Sequence, residues 1–491
     1  MKRETFGSRL GFILVSAGCA IGLGNVWKFP YICGEYGGAA FILIYLLFLV
    51  ILGIPVLVCE FSVGRSSRKS VAMCFEELEP RGTVWHRLKY IGIAGCYLLM
   101  MFYTTVAGWM LYYCFRSLRG DFVGASAEAV EAAFSGMLAD APLMTFWTVL
   151  VCILGFVVCI FGLNGGVEKV SKFMMAALLL IMVVLAVHSV TLEGAGEGVK
   201  FYLIPDFQRI LENGIGTAVF AALSQSFFTL SLGVGAMLIF GSYLDRSRSL
   251  TGEAISITAL DTFVALTAGF IVIPACFAFG IEPGSGPSLV FVTLPNIFAQ
   301  IPGGAVWSAL FFLFLAFAAL TTVIAVFENI IAFYMDGLGW SRKKGVVVNA
   351  VLMIILSMPC VLGYNLLSGI QPLGAGTTIM DLEDFIVSNN LLPLGSLGYV
   401  LFCTSKNGWG WNSFMDEVNA GEGLKFPKGL KAYVSYGIPL IIAVIYLKGY
   451  YDYFSAKGPV MLWGWMAAAV IFLVFIFYCA LKGGGKAAKN S

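Results

Sequence analysis

The chain has 491 residues, 59% of them hydrophobic and 12% charged, with a formal net charge of +2. Soluble domains carry about 25% charged residues, so the composition excludes a soluble globular protein and indicates a polytopic membrane protein. The basic residues sit in short loops rather than in a patch, which gives no footing for nucleic acid.

Apolar runs of roughly 20 residues, the length that crosses a bilayer, predict twelve spans. They cover about 9–33, 38–63, 87–118, 144–162, 166–190, 214–243, 250–281, 304–335, 343–362, 382–404, 431–449 and 459–481. The leading segment Met1–Arg9 runs into the first span without a small-residue cleavage site and reads as part of the mature chain.

Span one contains Gly18-Cys19-Ala20-Ile21-Gly22-Leu23-Gly24-Asn25-Val26-Trp27-Lys28-Phe29-Pro30. Three glycines, an Asn and a Pro make a poor lipid-facing helix. Irregular backbone at membrane depth is tolerated only inside protein or along a polar cavity. A helix broken there frees carbonyls for a cation and amides for an anion. Span six carries a like interruption, Ser224-Gln225-Ser226-Phe227-Phe228-Thr229-Leu230-Ser231-Leu232-Gly233-Val234-Gly235. Two interrupted spans, five apart and opposite in direction, predict an inverted repeat of five helices with a site between spans one and six. The expected units are 1–190 (spans 1–5), 191–404 (spans 6–10) and 405–491 (spans 11–12 and a short tail).

Lys2, Arg3 and Arg9 precede span one, and Arg65, Arg68, Lys69, Arg81, Arg87 and Lys89 surround the loop after span two. Arg246 and Arg248 follow span six, Arg342, Lys343 and Lys344 follow span eight, and Lys482, Lys486 and Lys489 close the chain. All fall on one side if both termini are cytoplasmic. The opposite loops, 119–142 and 191–213, are mixed or acidic. The twelve cysteines lie mostly in apolar runs with no C-x-x-C pair and read as buried thiols. His86 and His188 are the only histidines, which argues against zinc or haem chemistry. No Gly-x-Ser-x-Gly or His-Glu-x-x-His supplies an intramembrane enzyme with a nucleophile or metal set.

Gly18–Pro30, Gly53-Ile54-Pro55 with Glu60 and Gly64-Arg65, and Tyr103 with Gly108-Trp109 occur in order in spans one to three. Phe228–Gly235 and Ala318-Ala319-Leu320-Thr321-Thr322 follow in spans six and eight. In these elements the chain resembles the neurotransmitter:sodium symporter family, most nearly its bacterial amino-acid transporters with the LeuT fold. The resemblance covers essentially the whole chain. It implies an all-α membrane protein of twelve transmembrane helices in a 5+5 inverted repeat, with spans one and six broken.

The resemblance further implies two sodium ions. The first would meet Ala20, Asn25, Thr229, Asp261 and the substrate carboxylate. The second would meet carbonyls of Gly18, Ile21 and Ala318 and hydroxyls of Thr321 and Thr322. An intramembrane carboxylate such as Asp261 is a functional-site hypothesis in its own right. Adjacent threonines otherwise admit ordinary back-bonding to an i−4 carbonyl. Many relatives carry Asn at the position of Asp261. Here the carboxylate itself supplies negative charge and Ala265, one turn later, offers no hydroxyl, so chloride is not expected.

A substrate carboxylate would meet the amides of Leu23 and Gly24 and the Tyr103 hydroxyl. Its ammonium would meet carbonyls of Ala20, Phe228 and Thr229, together with Ser231. The side-chain pocket maps to Leu99, Tyr103, Phe228, Ser231, Val234, Thr322 and Val326. It holds no charged residue, so basic and acidic amino acids are disfavoured. The expected gates are Lys28 with Asp384 outside and Arg3 with Asp336, beside Tyr243, inside, with Phe29 and Phe228 as aromatic lids. Lys28 stands where the family usually has Arg and loses bidentate geometry, and Phe6 stands where Trp is common. Glu60 and Glu328 are expected to bond free backbone near the breaks.

The function so expected is sodium-coupled import of a neutral hydrophobic amino acid by alternating access, without covalent chemistry. Proton coupling through Asp261, or a receptor that binds an amino acid without moving it, are the alternatives. Eukaryotic relatives typically have a long, glycosylated loop at 119–142; this loop is short and the chain has no Asn-x-Ser/Thr sequon, so the resemblance implies a bacterial cytoplasmic membrane.

Overall fold

The structure, a computed structural model, describes residues 4–281 and 288–482, without the side chains of residues 212 and 213. Among the described residues the chain is built from helices joined by turns, with one isolated bridge between Arg248 and Glu422.

Among the described residues, ten continuous helical segments are long and apolar enough to cross a bilayer: Ala39–Ser67, Trp85–Leu118, Ala141–Ile160, Leu163–Val190, Leu250–Ala278, Gly304–Leu338, Arg342–Leu362, Ile379–Thr404, Lys428–Lys457 and Pro459–Leu481. Span one is an eleventh, made of Arg9–Ala20 and Gly24–Glu35 with a 58° bend between them. Span six consists of Ile215–Thr229 and Ala236–Ser242, too short singly to cross. These fill the twelve positions expected from hydropathy. Burial separates centre from rim. The most apolar stretch of span eight, within Gly304–Leu338, is 78% buried, whereas that of span twelve, within Pro459–Leu481, is 11% buried. Span eight is therefore the central pillar and span twelve a lipid-facing flank.

Six wide π-helical turns occur among the described residues. Gly24–Lys28, Leu49–Gly53, Leu289–Thr293, Val387–Leu391 and Tyr433–Gly437 each end two residues before a proline, namely Pro30, Pro55, Pro295, Pro393 and Pro439, and the sixth, Leu163–Glu168, does not. Proline lacks an N–H and its ring collides with the carbonyl four residues back, so a widened turn ahead of it relieves the clash.

Span one starts at Ser8, whose Oγ accepts from the Gly11 amide at 3.0 Å, and its first half stops where Ile21 turns extended (ψ 94°). Span six breaks over 230–235, where Ser231, Gly233 and Gly235 hold positive φ of 50°, 92° and 77°. Gly233 is required twice over. Its φ is left-handed, and a Cβ there would lie 2.3 Å from the Leu392 carbonyl of span ten. Glu60 of span two closes the break, accepting from the amides of Gly233 (2.9 Å), Met237 (3.1 Å) and Leu238 (3.2 Å). This is the backbone-bonding role expected of it. Glu328 behaves differently. It pairs with Arg342 at 2.7 Å and accepts from the Tyr243 hydroxyl at 2.9 Å, so its partners are side chains near the basic-loop end, not broken backbone. Arg342 also reaches Glu4 at 3.1 Å, which ties the leading segment to spans eight and nine.

The loops hold helices that hydropathy did not predict: Ala127–Ala139, Ala195–Leu203, Phe207–Asn213 and Trp411–Val418, with Leu289–Gln300 before span eight. Trp411–Val418 is anchored by an ion pair between Arg65 and Glu417 at 2.6 Å, in which both side chains are buried. All twelve cysteines are free and buried, as their apolar settings indicated.

Candidate functional site

The two breaks face each other across the centre of the bundle. Gly22 and Gly24 permit the approach. A Cβ on Gly22 would sit 2.2 Å from the Tyr103 hydroxyl, and one on Gly24 would sit 2.7 Å from the Phe228 ring. A small cavity of about 20 Å³ lies between them, lined by Ala20, Gly22, Leu23, Gly24, Leu99, Tyr103, Phe228, Ser231, Thr322 and Leu392. No charged side chain lines it. Val234 and Val326 are fully buried but outside this lining, so the cavity is shorter than the seven-residue pocket expected from sequence. Leu392 was missed there. Its place follows from span ten packing on the span-six break, a contact with no local signature.

Asn25, Thr229 and Asp261 come from spans one, six and seven and are fully buried. The Asn25 amide donates to Asp261 Oδ1 at 2.8 Å and to Thr229 Oγ1 at 2.9 Å. Thr229 Oγ1 donates to Asp261 Oδ2 at 2.8 Å. Asn25 Oδ1 meanwhile accepts from the Gly22 amide at 3.2 Å, a bond that ties the residue back into the break of span one. Two further groups complete this layer. The Tyr45 hydroxyl lies 3.4 Å from Thr229 Oγ1, and Gln225 donates to the Gly24 carbonyl at 2.8 Å. Gln225 was visible in sequence as a polar residue in an apolar run, without a partner to suggest its role.

On the other side of span one, the Thr322 hydroxyl lies 3.3–3.4 Å from four carbonyls, those of Gly18, Cys19, Ile21 and Ala318. A hydroxyl has one proton, so it cannot satisfy four acceptors. The surplus of converging oxygens is the donor set a small hard cation takes. Thr321 Oγ1 lies 3.0 Å from the Phe317 and Ala318 carbonyls, the back-bonding geometry, and it shares the Ala318 carbonyl with this cluster.

The Leu23 amide donates to the Tyr103 hydroxyl at 3.0 Å. A bound carboxylate would have to share or replace that bond. Ser231 donates to the Cys19 carbonyl at 3.4 Å from a backbone with positive φ. Such strain in a non-glycine residue is typical of positions that the surrounding fold holds for function.

Away from the basic-loop end, Leu23, Trp27, Lys28, Tyr31, Phe102, Tyr103, Val106, Phe228, Met380, Asp381 and Asp384 line a vestibule of about 230 Å³. Leu23, Tyr103 and Phe228 line both this space and the central cavity, so they form the partition. Lys28 and Asp384 both line the vestibule but do not form an ion pair. Lys28 Nζ lies 4.3 Å from the Phe228 ring centroid, and Asp384 accepts from Ser388 at 2.7 Å. Phe29 is not a lid. It is fully buried against Phe41 and Tyr45, with centroids 6.4 and 5.1 Å away. At the basic-loop end a cavity of about 320 Å³ opens beside Phe6, Arg9, Tyr243 and Glu253. Phe6 packs on Phe12 and Tyr243, and Asp336 accepts from the Ser70 amide at 2.6 Å. Arg3 lies outside the described residues.

The profile of the sodium:neurotransmitter symporter family matches residues 3–131 and 134–481. The chain belongs to this family. An uncharacterized sodium-dependent transporter of Bacillus subtilis is 38% identical over 82% of this chain and 88% of its own length. A second, from Haemophilus influenzae, is 32% identical over 91% of this chain and 98% of its own. The crystal structure of MhsT in complex with L-phenylalanine superposes with a TM-score of 0.81 at 37% identity, covering 91% of this chain and 100% of that one. The LeuT-type fold and membership of a family of sodium-dependent symporters are thereby shown, and the family's members are transporters rather than enzymes.

Proposed function

We propose that the protein imports a neutral, hydrophobic α-amino acid together with two sodium ions, without chloride, across a bacterial cytoplasmic membrane. The observation that carries this reading is the convergence of four carbonyls on Thr322 beside an apolar, uncharged cavity. One sodium ion is assigned to Gly18, Ile21, Ala318, Thr321 and Thr322. It would join broken span one to span eight and so favour one conformation over another. The other is assigned to Ala20, Asn25, Thr229 and Asp261 with the substrate carboxylate. The inhibitor of a looser choice is burial: a charged substrate side chain would lie unpaired in this cavity. L-phenylalanine in the MhsT complex supports an aromatic or large aliphatic substrate.

The units 1–190, 191–404 and 405–491 are the repeats and appendage in this reading. The end bearing the basic loops is cytoplasmic, and the vestibule beside Lys28 and Asp384 is extracellular. Spans one, two, six and seven rock against three, four, eight and nine, with Leu23, Tyr103 and Phe228 parting as the outer side opens. Asp261 accepts hydrogen bonds from Asn25 and Thr229, the two other side chains assigned to this ion site, which holds its carboxyl oxygens in place for an ion.

Uptake into proteoliposomes tests the reading. An inward sodium gradient should drive accumulation of labelled apolar amino acids, an equal choline gradient should not, and replacing chloride by gluconate should change nothing. Equal uptake in sodium and choline would overturn sodium coupling. Binding without accumulation would favour a receptor.

A further inference from the structure

Span ten begins with three acids in four residues, Asp381, Glu383 and Asp384. Asp381 and Asp384, three apart on one helix face, line the outer vestibule. Asp381 caps the helix by accepting from Thr378, and Asp384 accepts from Ser388. Glu383 is about 100° further round the helix from Asp384 and is not part of that lining. It is 3% exposed, and neither carboxyl oxygen has a hydrogen-bond partner. Among the described residues no cation pairs with it. Span nine brings the Cys360 thiol beside it and Tyr364 nearby, and Tyr364 spends its hydroxyl on Met380. Span three brings Thr105, which lies next to Cys360. Lys457 and Tyr453, from the corner between spans eleven and twelve, act on Asp381 and on the Asp381–Asp384 pair.

A carboxylate in a dry site whose one neighbouring donor is a thiol carries a desolvation cost that this weak donor does not offset, and such a group takes a proton instead. The helix that holds it is short, Ile379–Ile386, and runs into the π-helical turn Val387–Leu391. A small rotation or tilt there would bring the carboxyl towards the vestibule that Asp381 and Asp384 already face.

We propose that Glu383 is a proton-binding site, loaded in the arrangement described above, the closed form in which Leu23, Tyr103 and Phe228 separate the vestibule from the central cavity, and discharged into the vestibule in an open form in which span ten has moved. By linkage, the closed form binds one proton more than the open form. Falling pH then favours closure and rising pH favours opening.

Two measurements test this, and neither depends on uptake, so failure here is separable from failure of the transport reading. Infrared spectroscopy of the protein in liposomes at neutral pH should show an un-ionised carboxyl band that is lost in Glu383→Gln and shifted in Glu383→Asp. The aspartate variant keeps the test usable should the glutamine variant not fold. An unchanged band in both would overturn the assignment. The second measurement uses the burial of all twelve native cysteines. Tyr31→Cys places a thiol in the vestibule lining, and Ser126→Cys gives an exposed reference. The reaction rate of the first with an impermeant thiol reagent, divided by that of the second, should rise roughly three- to tenfold from about pH 6 to about pH 8. Adding Glu383→Gln should flatten the rise. A rise that survives Glu383→Gln, or no rise in its absence, would overturn the coupling.

Discussion

Gly22 shows how one missing side chain sets the site. Its Cα lies where any Cβ would press on both Tyr103 Oη (2.2 Å) and Thr322 Oγ1 (2.9 Å). Gly22→Ala should leave a folded protein whose amino-acid affinity falls more than about tenfold, a loss of at least roughly 1.4 kcal/mol, measurable as radioligand binding in detergent. Asp261 sets the charge of its layer. Asp261→Asn keeps the shape but replaces one of the two carboxyl oxygens that Asn25 and Thr229 now bond. Sodium affinity should drop about tenfold or more at low ionic strength, with little change in thermal stability. A sodium titration of substrate binding reads this out, and an unchanged midpoint would take Asp261 out of the ion site. Both residues stood out in sequence because a glycine triplet and a carboxylate are out of place in an apolar run. Leu392 did not stand out, because a leucine in a membrane span carries no signal of its own.

At the scale of the element, the breaks and widenings of the helices trace in part to local chemistry. The prolines at 30, 55, 295, 393 and 439 each follow a π-helical turn, whereas Pro274 and Pro359 sit inside plain α-helix, so proline alone does not place the widenings. The closing of span six was less legible still. Its freed amides depend on Glu60, 173 to 178 residues away in sequence. Glu60→Ala would leave three amides without their acceptor, at a cost of about 1–3 kcal/mol each. The variant should unfold at markedly lower temperature in detergent and lose substrate binding. Glu60→Gln, which keeps one acceptor oxygen, should fall between it and the parent. Glu328 shows the converse. Hydropathy marked it as an intramembrane acid near a break, yet its partner is Arg342, fourteen residues on, which the charge pattern alone places in a loop.

Over the whole molecule, contacts between distant segments decide rigidity. Arg65 and Glu417 form a buried pair across 352 residues, and Arg246 reaches the second Glu417 oxygen at 2.6 Å. Removing one partner strands a buried charge, at a cost of about 3–5 kcal/mol. Glu417→Ala should therefore lower thermal stability strongly and open the 405–430 connection to limited proteolysis. Arg65→Lys should not preserve the wild-type state, since an ammonium cannot also reach the Arg248 and Glu417 carbonyls that the guanidinium holds. An unaltered digestion pattern in Glu417→Ala would show that the pair does not anchor the Trp411–Val418 helix.

By itself the sequence determined that the chain crosses a membrane, where its spans run, which two are broken and which polar residues stand at membrane depth. Hydropathy, glycine, proline and isolated charge act over a few residues, so they can be read along the chain. The tertiary structure alone decided which of these groups meet. It placed Lys28 over Phe228 instead of against Asp384, buried Phe29 away from the vestibule, drew Leu392 into the cavity wall and left Glu383 dry. Those outcomes depend on how helices far apart in sequence rotate and pack against one another, and the period of an apolar helix buried on most sides does not encode that rotation.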